Sequence, residues 1–328
     1  MKTFKKLTAL ALSLALVLSL AACGGKEEPE PAPAEEPEEE EVVVRAAALK
    51  GPTGMGMAYL ADDSEYELTL LAAPTEVPPL LLKGELDVAC VPANMASILY
   101  HKTEGNLVAL AVNTLGVLYL MENGDTVESL EDLRGQTLVA SGKGATPEYA
   151  LRYLLTENGL DPDQDVTIQW KNEHSECVSA LATGAASIAM LPQPFATVAQ
   201  GKIEGLRTAV DLNEAWEALD NGSQMITGVV VARKDFVEAH PQAVQDFLQD
   251  YAGSVKKVND QPAQAAQVIG ELGIVEAPVA EKAIPYCNIV CITGEEMKEA
   301  LSGYLQVLLE AEADSVGGAV PEEGFYFA

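Results

Sequence analysis

Short apolar runs alternate with amphipathic stretches along most of this chain, and that alternation restricts the fold more than any other feature. Residues 42–49, 66–72, 88–91, 137–140, 166–170, 187–191, 206–212 and 225–232 are runs of strand length, rich in β-branched and small apolar side chains. Residues 107–121 are long enough for two strands around Asn113-Thr114. Between them lie helical patterns at 55–61, with Thr53 as its N-cap, and at 78–83, 94–100, 148–158, 173–183 and 195–200. After Phe236 the pattern is mainly helical, over 242–259, 262–272, 278–283 and 295–311, and residues 286–291 read as a strand or an irregular connection. Strand-helix alternation of this kind implies an α/β fold with parallel sheets. No repeat of 20–50 residues is present.

In open α/β sheets a ligand sits at the carboxyl ends of strands, against the helix starts that follow. Four such junctions here are small and rich in Gly or Pro: Gly51-Pro52-Thr53-Gly54, Pro92-Ala93-Asn94, the loop from Ser141 to Pro147, and Pro192-Gln193-Pro194-Phe195. Glycine lets backbone approach a ligand closely, and helix-start N–H groups favour an oxyanion. Each junction alone is what an ordinary βα turn requires; the four together suggest a site. Gly54-x-Gly56 is not a dinucleotide fingerprint, because Tyr59 stands where the third glycine belongs. Ser141-Gly142-Lys143-Gly144 lacks the order of a phosphate-binding P-loop.

Charge and composition narrow the function. Hydrophobic residues make up 48% of the 328, enough for sizeable cores, and Lys+Arg 20 against Asp+Glu 50 leaves a net charge of −30. Such a surface repels phosphate backbones, so a nucleic-acid partner is excluded. The three histidines, His101, His174 and His240, are scattered, with no metal-binding spacing, and no metal or cofactor is expected. His101 and His174 read as residues at helix ends, and Trp170 and Trp216 as core. Cys90 and Cys177 are followed by Cys287 and Cys291, four apart, whose pairing the spacing leaves open.

The N-terminus reads as an address and a tether. Lys2, Lys5 and Lys6 precede the apolar stretch 7–20, too short to span a bilayer core of about 30 Å. The ending Leu20-Ala21-Ala22-Cys23 resembles a bacterial lipobox, which implies a signal peptide over 1–22, lipidation of Cys23 and anchoring to the outer face of the cell membrane. Residues 23–41 carry nine glutamates and read as an extended acidic linker. Residues 42–328 still hold 16 Lys and Arg against 41 Asp and Glu, so the acidity belongs to the globular part as well.

Several segments resemble solute-binding proteins of the nitrate/sulfonate/taurine type, which also include thiamine-pyrimidine binders. They are Lys83-Gly84-Glu85-Leu86-Asp87-Val88-Ala89, Leu130-Glu131-Asp132-Leu133-Arg134-Gly135-Gln136, the stretch from Ala180 to Ala189, and Leu191-Pro192-Gln193-Pro194-Phe195. Gln193 and Ser187 stand where that family usually has acidic residues. The resemblance implies a two-lobe, type II periplasmic-binding-protein fold. Each lobe would hold a mainly parallel sheet flanked by helices, and two hinge segments would join them. Lobe one would comprise 42–135 with 225–328, and lobe two 136–224. It further implies a monomeric solute receptor, not an enzyme, that serves an ABC permease and its ATPase. The small polar or anionic ligand would be sulfonate-like, nitrate-like or pyrimidine-like. Contacts to it are expected from Thr53, Gly54, Met55, Asn94, Asn113, Gly144, Ala145, Thr146 and Gln193, with Lys143 read as a solvated lysine. The alternatives are an enzyme built on the same fold, or a lipoprotein that senses a ligand or contacts another protein.

Overall fold

The chain is described here from a computed structural model over residues 42–327, so the leader, Cys23 and the linker lie outside the described residues. Eleven strands are present among the described residues: β1 (Val44–Leu49), β2 (Tyr66–Leu71), β3 (Val88–Pro92), β4 (Leu107–Leu115), β5 (Leu118–Glu122), β6 (Thr137–Ser141), β7 (Thr167–Lys171), β8 (Ile188–Pro192), β9 (Arg207–Asp211), β10 (Ile226–Arg233) and β11 (Ile289–Ile292). The helices are α1 (Pro52–Gly56), α2 (Val77–Leu82), α3 (Ala93–Lys102), α4 (Thr146–Glu157), α5 (His174–Ala182), α6 (Phe195–Lys202), α7 (Leu212–Glu217), α8 (Lys234–Ala239), α9 (Pro241–Asp260), α10 (Pro262–Glu271), α11 (Ala277–Ala283) and α12 (Gly294–Ala311).

The strands form two sheets, one of six in the order β11-β4-β10-β3-β1-β2 and one of five in the order β7-β6-β8-β5-β9. In the first, β1 runs parallel to β2 and β3, while β10 is antiparallel to β3 and β4. In the second, β6 is parallel to β7 and β8, and β5 is antiparallel to β8 and β9. The sheets are therefore mixed, and the reason is topological. β4 ends at the tip of the first sheet, the chain crosses at Gly116-Val117, and β5 enters the second sheet tip-first and runs the other way. β10 makes the return crossing in the same manner. β5 thus pairs in the second sheet although it lies upstream of residue 136.

The two crossings touch. A Cβ added at Gly116 would stand 2.2 Å from the Asn213 Oδ1 and 2.5 Å from the Met225 Cε, so only glycine lets the outgoing segment pass the returning one.

Helices cover both faces of the first sheet. Met55 of α1 and Met57 just after it join Phe247 and Tyr251 of α9 and Ile269 of α10 in one core. On the other face Ala96 and Leu99 of α3 join Leu301, Leu305 and Leu308 of α12 in a core that continues to Leu118, Leu138 and Leu151 around the second sheet. Trp216 of α7 is fully buried between Tyr153 of α4 at 4.8 Å and Tyr304 of α12 at 5.3 Å between ring centroids. Such ring pairs contribute about 0.5–1.5 kcal/mol each beyond the area they bury.

Three elements differ from the sequence reading. α1 starts at Pro52, so Thr53 lies inside the helix and is not its N-cap. β4 runs straight through Asn113-Thr114, because Val112 and Thr114 pair with β10, and the break comes at Gly116. α7 had no sequence signal strong enough to separate it from the preceding strand; the Asp211 carboxylate caps it, accepting from the Asn213 and Glu214 amides.

Candidate functional site

Sheet register lines up the strand tips. In the first sheet Gly228 of β10 lies between Pro92 of β3 and Thr114 of β4. In the second, Leu118 of β5 pairs with Pro192 of β8. The loops that follow these positions bring polar side chains of the two sheets together. The Thr146 hydroxyl, at the start of α4, donates to the Asn94 Oδ1, at the start of α3, over 3.2 Å. Both residues are buried, at 1% and 0% exposure. Asn94 is fixed from behind, its Nδ2 donating to the Ser315 carbonyl at 3.1 Å, and Ser97 one turn on donates to the Val316 carbonyl at 2.6 Å. The Tyr304 hydroxyl, buried and without a hydrogen-bond partner, lies beside Thr146, and burial pushes its pKa up.

Asn113 lies two residues before the end of β4 and is fully buried. Its Oδ1 accepts from the Thr114 hydroxyl at 3.1 Å, while its Nδ2 has no partner. The Cys90 thiol, pushed up to about 12 by burial and lowered in part by Asn113, is adjacent but outside hydrogen-bond geometry with that amide. A Cβ at Gly228 would stand 2.4 Å from the Asn113 Oδ1 and 3.2 Å from the Thr53 Cγ2, which places these three residues against one another.

The other anticipated residues are used locally. Thr53 turns its hydroxyl back on β1, accepting from the Leu49 amide at 3.1 Å. Gly54 is a packing glycine: a Cβ there would meet the Leu49 carbonyl at 2.6 Å. Met55 faces the core, with its sulfur 3.9 Å from the Cys287 Sγ. Gly144 is exposed, and its amide donates to the Glu148 carboxylate at 2.6 Å. Ala145 is half-buried at the start of α4. Gln193 is buried, but its Oε1 is taken up by the first turn of α6, accepting from the Thr197 hydroxyl at 2.8 Å and the Thr197 amide at 3.3 Å. Lys143 is exposed. Of the nine, the structure joins Asn94 to Thr146 and Asn113 to Thr53. Tyr304 and Gly228 were missed. A lone glycine in the β-branched run 226–233 was the available signal for Gly228; nothing near Tyr304 in the sequence marks it.

His174 opens α5, at a helix end as the sequence suggested, and is half-buried there. Its ring packs on Phe195 at 5.0 Å, its Nδ1 hydrogen-bonds the Ser141 hydroxyl at 2.5 Å, and burial lowers its pKa to about 4. Cys90, Cys177, Cys287 and Cys291 are all free thiols.

Among the described residues, the buried charged side chains lie at the opposite ends of the sheets. Asp87, just before β3, takes hydrogen bonds from Arg45 at 2.6 and 2.9 Å and from Arg233 at 3.0 Å. Burial pushes the Asp87 carboxyl up, but these bonds outweigh it and hold its pKa below the usual carboxylate value. Glu122, at the last residue of β5, is paired with Arg207 and the Thr126 hydroxyl, and it too is held low against burial.

A family model described as ABC transporter, phosphonate, periplasmic substrate-binding protein matches residues 54–279. Comparison with curated proteins gives no match. Among solved structures, an ABC transporter from Parabacteroides distasonis is 25% identical with a TM-score of 0.74, over 88% of this chain and 99% of that one. The periplasmic aliphatic sulphonate binding protein of Escherichia coli is 17% identical with a TM-score of 0.70, over 87% of this chain and 92% of that one. The periplasmic nitrate-binding protein of Synechocystis is 13% identical with a TM-score of 0.60, over 84% of each chain.

Proposed function

The chain belongs to the family of phosphonate-type ABC transporter periplasmic substrate-binding proteins, and on that premise we propose that its two sheets form lobes that close on a small solute at the strand tips. It is the solute-binding component of an importer, working outside the cytoplasm with a permease and an ATPase. The observation that carries the closure is the bond from Thr146 to Asn94, which joins the tip of one sheet to the tip of the other. A solute that touches both sides favours the closed form by its differential affinity. The crossings at Gly116 and Met225 are the hinge, since two adjacent strands restrict the motion to bending.

In this reading the lobes divide at the crossings, the second running from β5 to α7. Asn94, Asn113 and Thr146 hold the solute, while Thr53, Gly54, Met55, Gly144, Ala145 and Gln193 shape the loops around it. The protein works as a monomer and performs no chemistry on the solute. Cys23 carries the lipid that keeps it at the membrane, with the acidic residues 24–41 as spacer.

Small-angle scattering of the purified protein, with and without a solute that raises its melting temperature, tests the closure. The radius of gyration is expected to fall on binding. A solute that binds without contraction, in a protein whose lobes move independently of it, rules the mechanism out. Detergent partitioning of wild type and Cys23→Ser tests the anchor: the wild type is expected in the detergent phase and the variant in the aqueous phase.

A further inference from the structure

A concave surface of another kind lies outside the strand tips. A groove of about 620 Å³ runs between α4, which follows β6 of the second sheet, and α12, which covers a face of the first. Tyr149 and Tyr153 of α4 and Val307 and Leu308 of α12 line its floor; Leu308 is buried and the other three are half-buried. The Tyr153 ring packs on Trp216 at 4.8 Å and its hydroxyl accepts from the Asn221 Nδ2 at 3.1 Å, so it is held in one orientation. A surface fixed in this way loses little freedom on contact. The groove starts close to the meeting of the sheets. Tyr149 follows Thr146 by one turn of α4, Leu308 follows Tyr304 by one turn of α12, and Thr146 and Tyr304 lie beside each other.

The rim of the groove is acidic. Glu157 of α4 and Glu310 and Glu312 at the end of α12 stand on it, all exposed. Arg152 is the one cation in the lining, and its charge is already matched, since its guanidinium makes two bonds to the Asp163 carboxylate at 3.0 and 2.7 Å. Burial raises the pKa of Tyr149, and Glu312, Glu148 and Asp314 raise it further, so the field over that ring is negative.

We infer that this groove is a docking surface for the permease, and that its occupant is a basic permease segment whose arginines or lysines meet the glutamates while an apolar side chain rests on Tyr149 and Tyr153. The inference rests on the receptor reading above and adds the surface through which closure is read. One wall comes from each lobe, so the groove has this width only when the lobes are together. A segment fitted to it binds the closed form better than the open one, and by that difference it responds to solute. The net charge of −30 makes acid common on this surface, so acid alone marks no place. What distinguishes the groove is a ring of carboxylates around a recessed floor of fixed aromatic rings, which is the polar rim and apolar core of a protein interface. Arginine suits both parts, since it pairs with carboxylates and stacks on tyrosine faces. An acidic segment is repelled by the same rim.

The test measures binding of the full chain to its permease–ATPase complex in nanodiscs, at low and at high salt. Glu310→Lys with Glu312→Lys reverses the rim, and Thr156→Trp fills the groove from an exposed position in its lining. Glu238→Lys with Glu271→Lys makes the same change of charge at exposed positions on α8 and α10, outside the lining. The rim variant is expected to bind about tenfold more weakly at low salt, with the difference shrinking at high salt. Thr156→Trp should weaken binding severalfold at either salt, and the variant on α8 and α10 should bind as the wild type does. All the altered side chains are exposed, so unchanged melting temperatures are expected, and Thr156→Trp keeps the test decisive if the rim variant does not fold. A photoreactive phenylalanine analogue at Ala311 should cross-link to a permease segment rich in arginine or lysine. Wild-type affinity in both groove variants overturns the surface, and so does an equal loss in the variant on α8 and α10. A cross-link to an acidic or uncharged segment overturns the chemistry of the occupant. In each of those cases the receptor reading stands. A wild-type chain that binds no permease–ATPase complex overturns the receptor reading, and this inference with it.

Discussion

Thr146 and Asn94 are 52 residues apart, belong to different sheets, and share a hydrogen bond from which water is excluded. In the proposed closure this bond is the contact that joins the two lobes, so its removal is expected to separate closure from folding. Thr146→Val is expected to cost about 1 kcal/mol of stability. Asn94→Ala costs more, because it also strips the Ser315 carbonyl of its donor. A double-mutant cycle by urea denaturation checks this, with a coupling energy of about 1 kcal/mol expected; additive effects would show that the pair does not interact.

Gly228 has no room for a side chain, since a Cβ there would press on the Asn113 Oδ1 at 2.4 Å. Gly228→Ala is expected to lose about 1–3 kcal/mol of stability through overpacking. It should weaken solute binding as well, because Asn113 is pushed aside. Thermal unfolding and calorimetry on one preparation read both effects. A variant with wild-type values of each would mean that the tip of β10 yields freely.

Asp87 is expected to be the most damaging single site at the far end of the first sheet. Asp87→Asn leaves Arg45 and Arg233 without their shared anion, at a cost of about 3 kcal/mol. The pH dependence has a definite sign. The folded carboxyl is held below its unfolded value, so its contribution is complete above the unfolded pKa of about 4 and is lost as the pH falls through the folded one. Denaturant titrations from pH 6 downward should show a steeper loss for the wild type than for Asp87→Asn.

His174 gives a second pH window. Burial holds the folded ring at about 4, below the unfolded value of about 6.5, so the unfolded chain takes up the proton first. Stability is full above about pH 6.5 and declines toward pH 4, by about 3 kcal/mol. His174→Gln should flatten the profile in that interval; an unchanged slope would assign it to other groups.

The four described cysteines are free, and burial raises Cys291, the most accessible of them, to about 11. Native protein should react slowly with thiol reagents at neutral pH. A melting temperature that fell on addition of a reductant would reveal a disulfide and contradict the free thiols.

Much of the architecture was legible because strand and helix periods are local. The βα loops came from spacing alone, and Trp216, expected in the core, is fully buried. The mixed order of the sheets did not, since β5 and β10 look like any apolar run until their partners are known. The site was legible in part for the same reason. Asn94 and Thr146 sit at helix starts, where pattern marks them. Tyr304 comes beside Thr146 from α12, packed against Trp216, and no local period encodes a contact of that range. Gln193 and Gly144 show the converse: they occupy the right loops, but each is spent on its own helix.

The tie from Asn94 to Ser315 has a consequence for how the protein is made. A ribosome or export channel releases the chain from its N-terminus, and residue 94 emerges long before residue 315. Until residues 315 and 316 are out, α3 lacks the carbonyls that seat it, so a nascent chain can carry the strands of both sheets before Asn94 is fixed in place. The seat of α3 is completed by a stretch that leaves the ribosome more than two hundred residues after the helix itself.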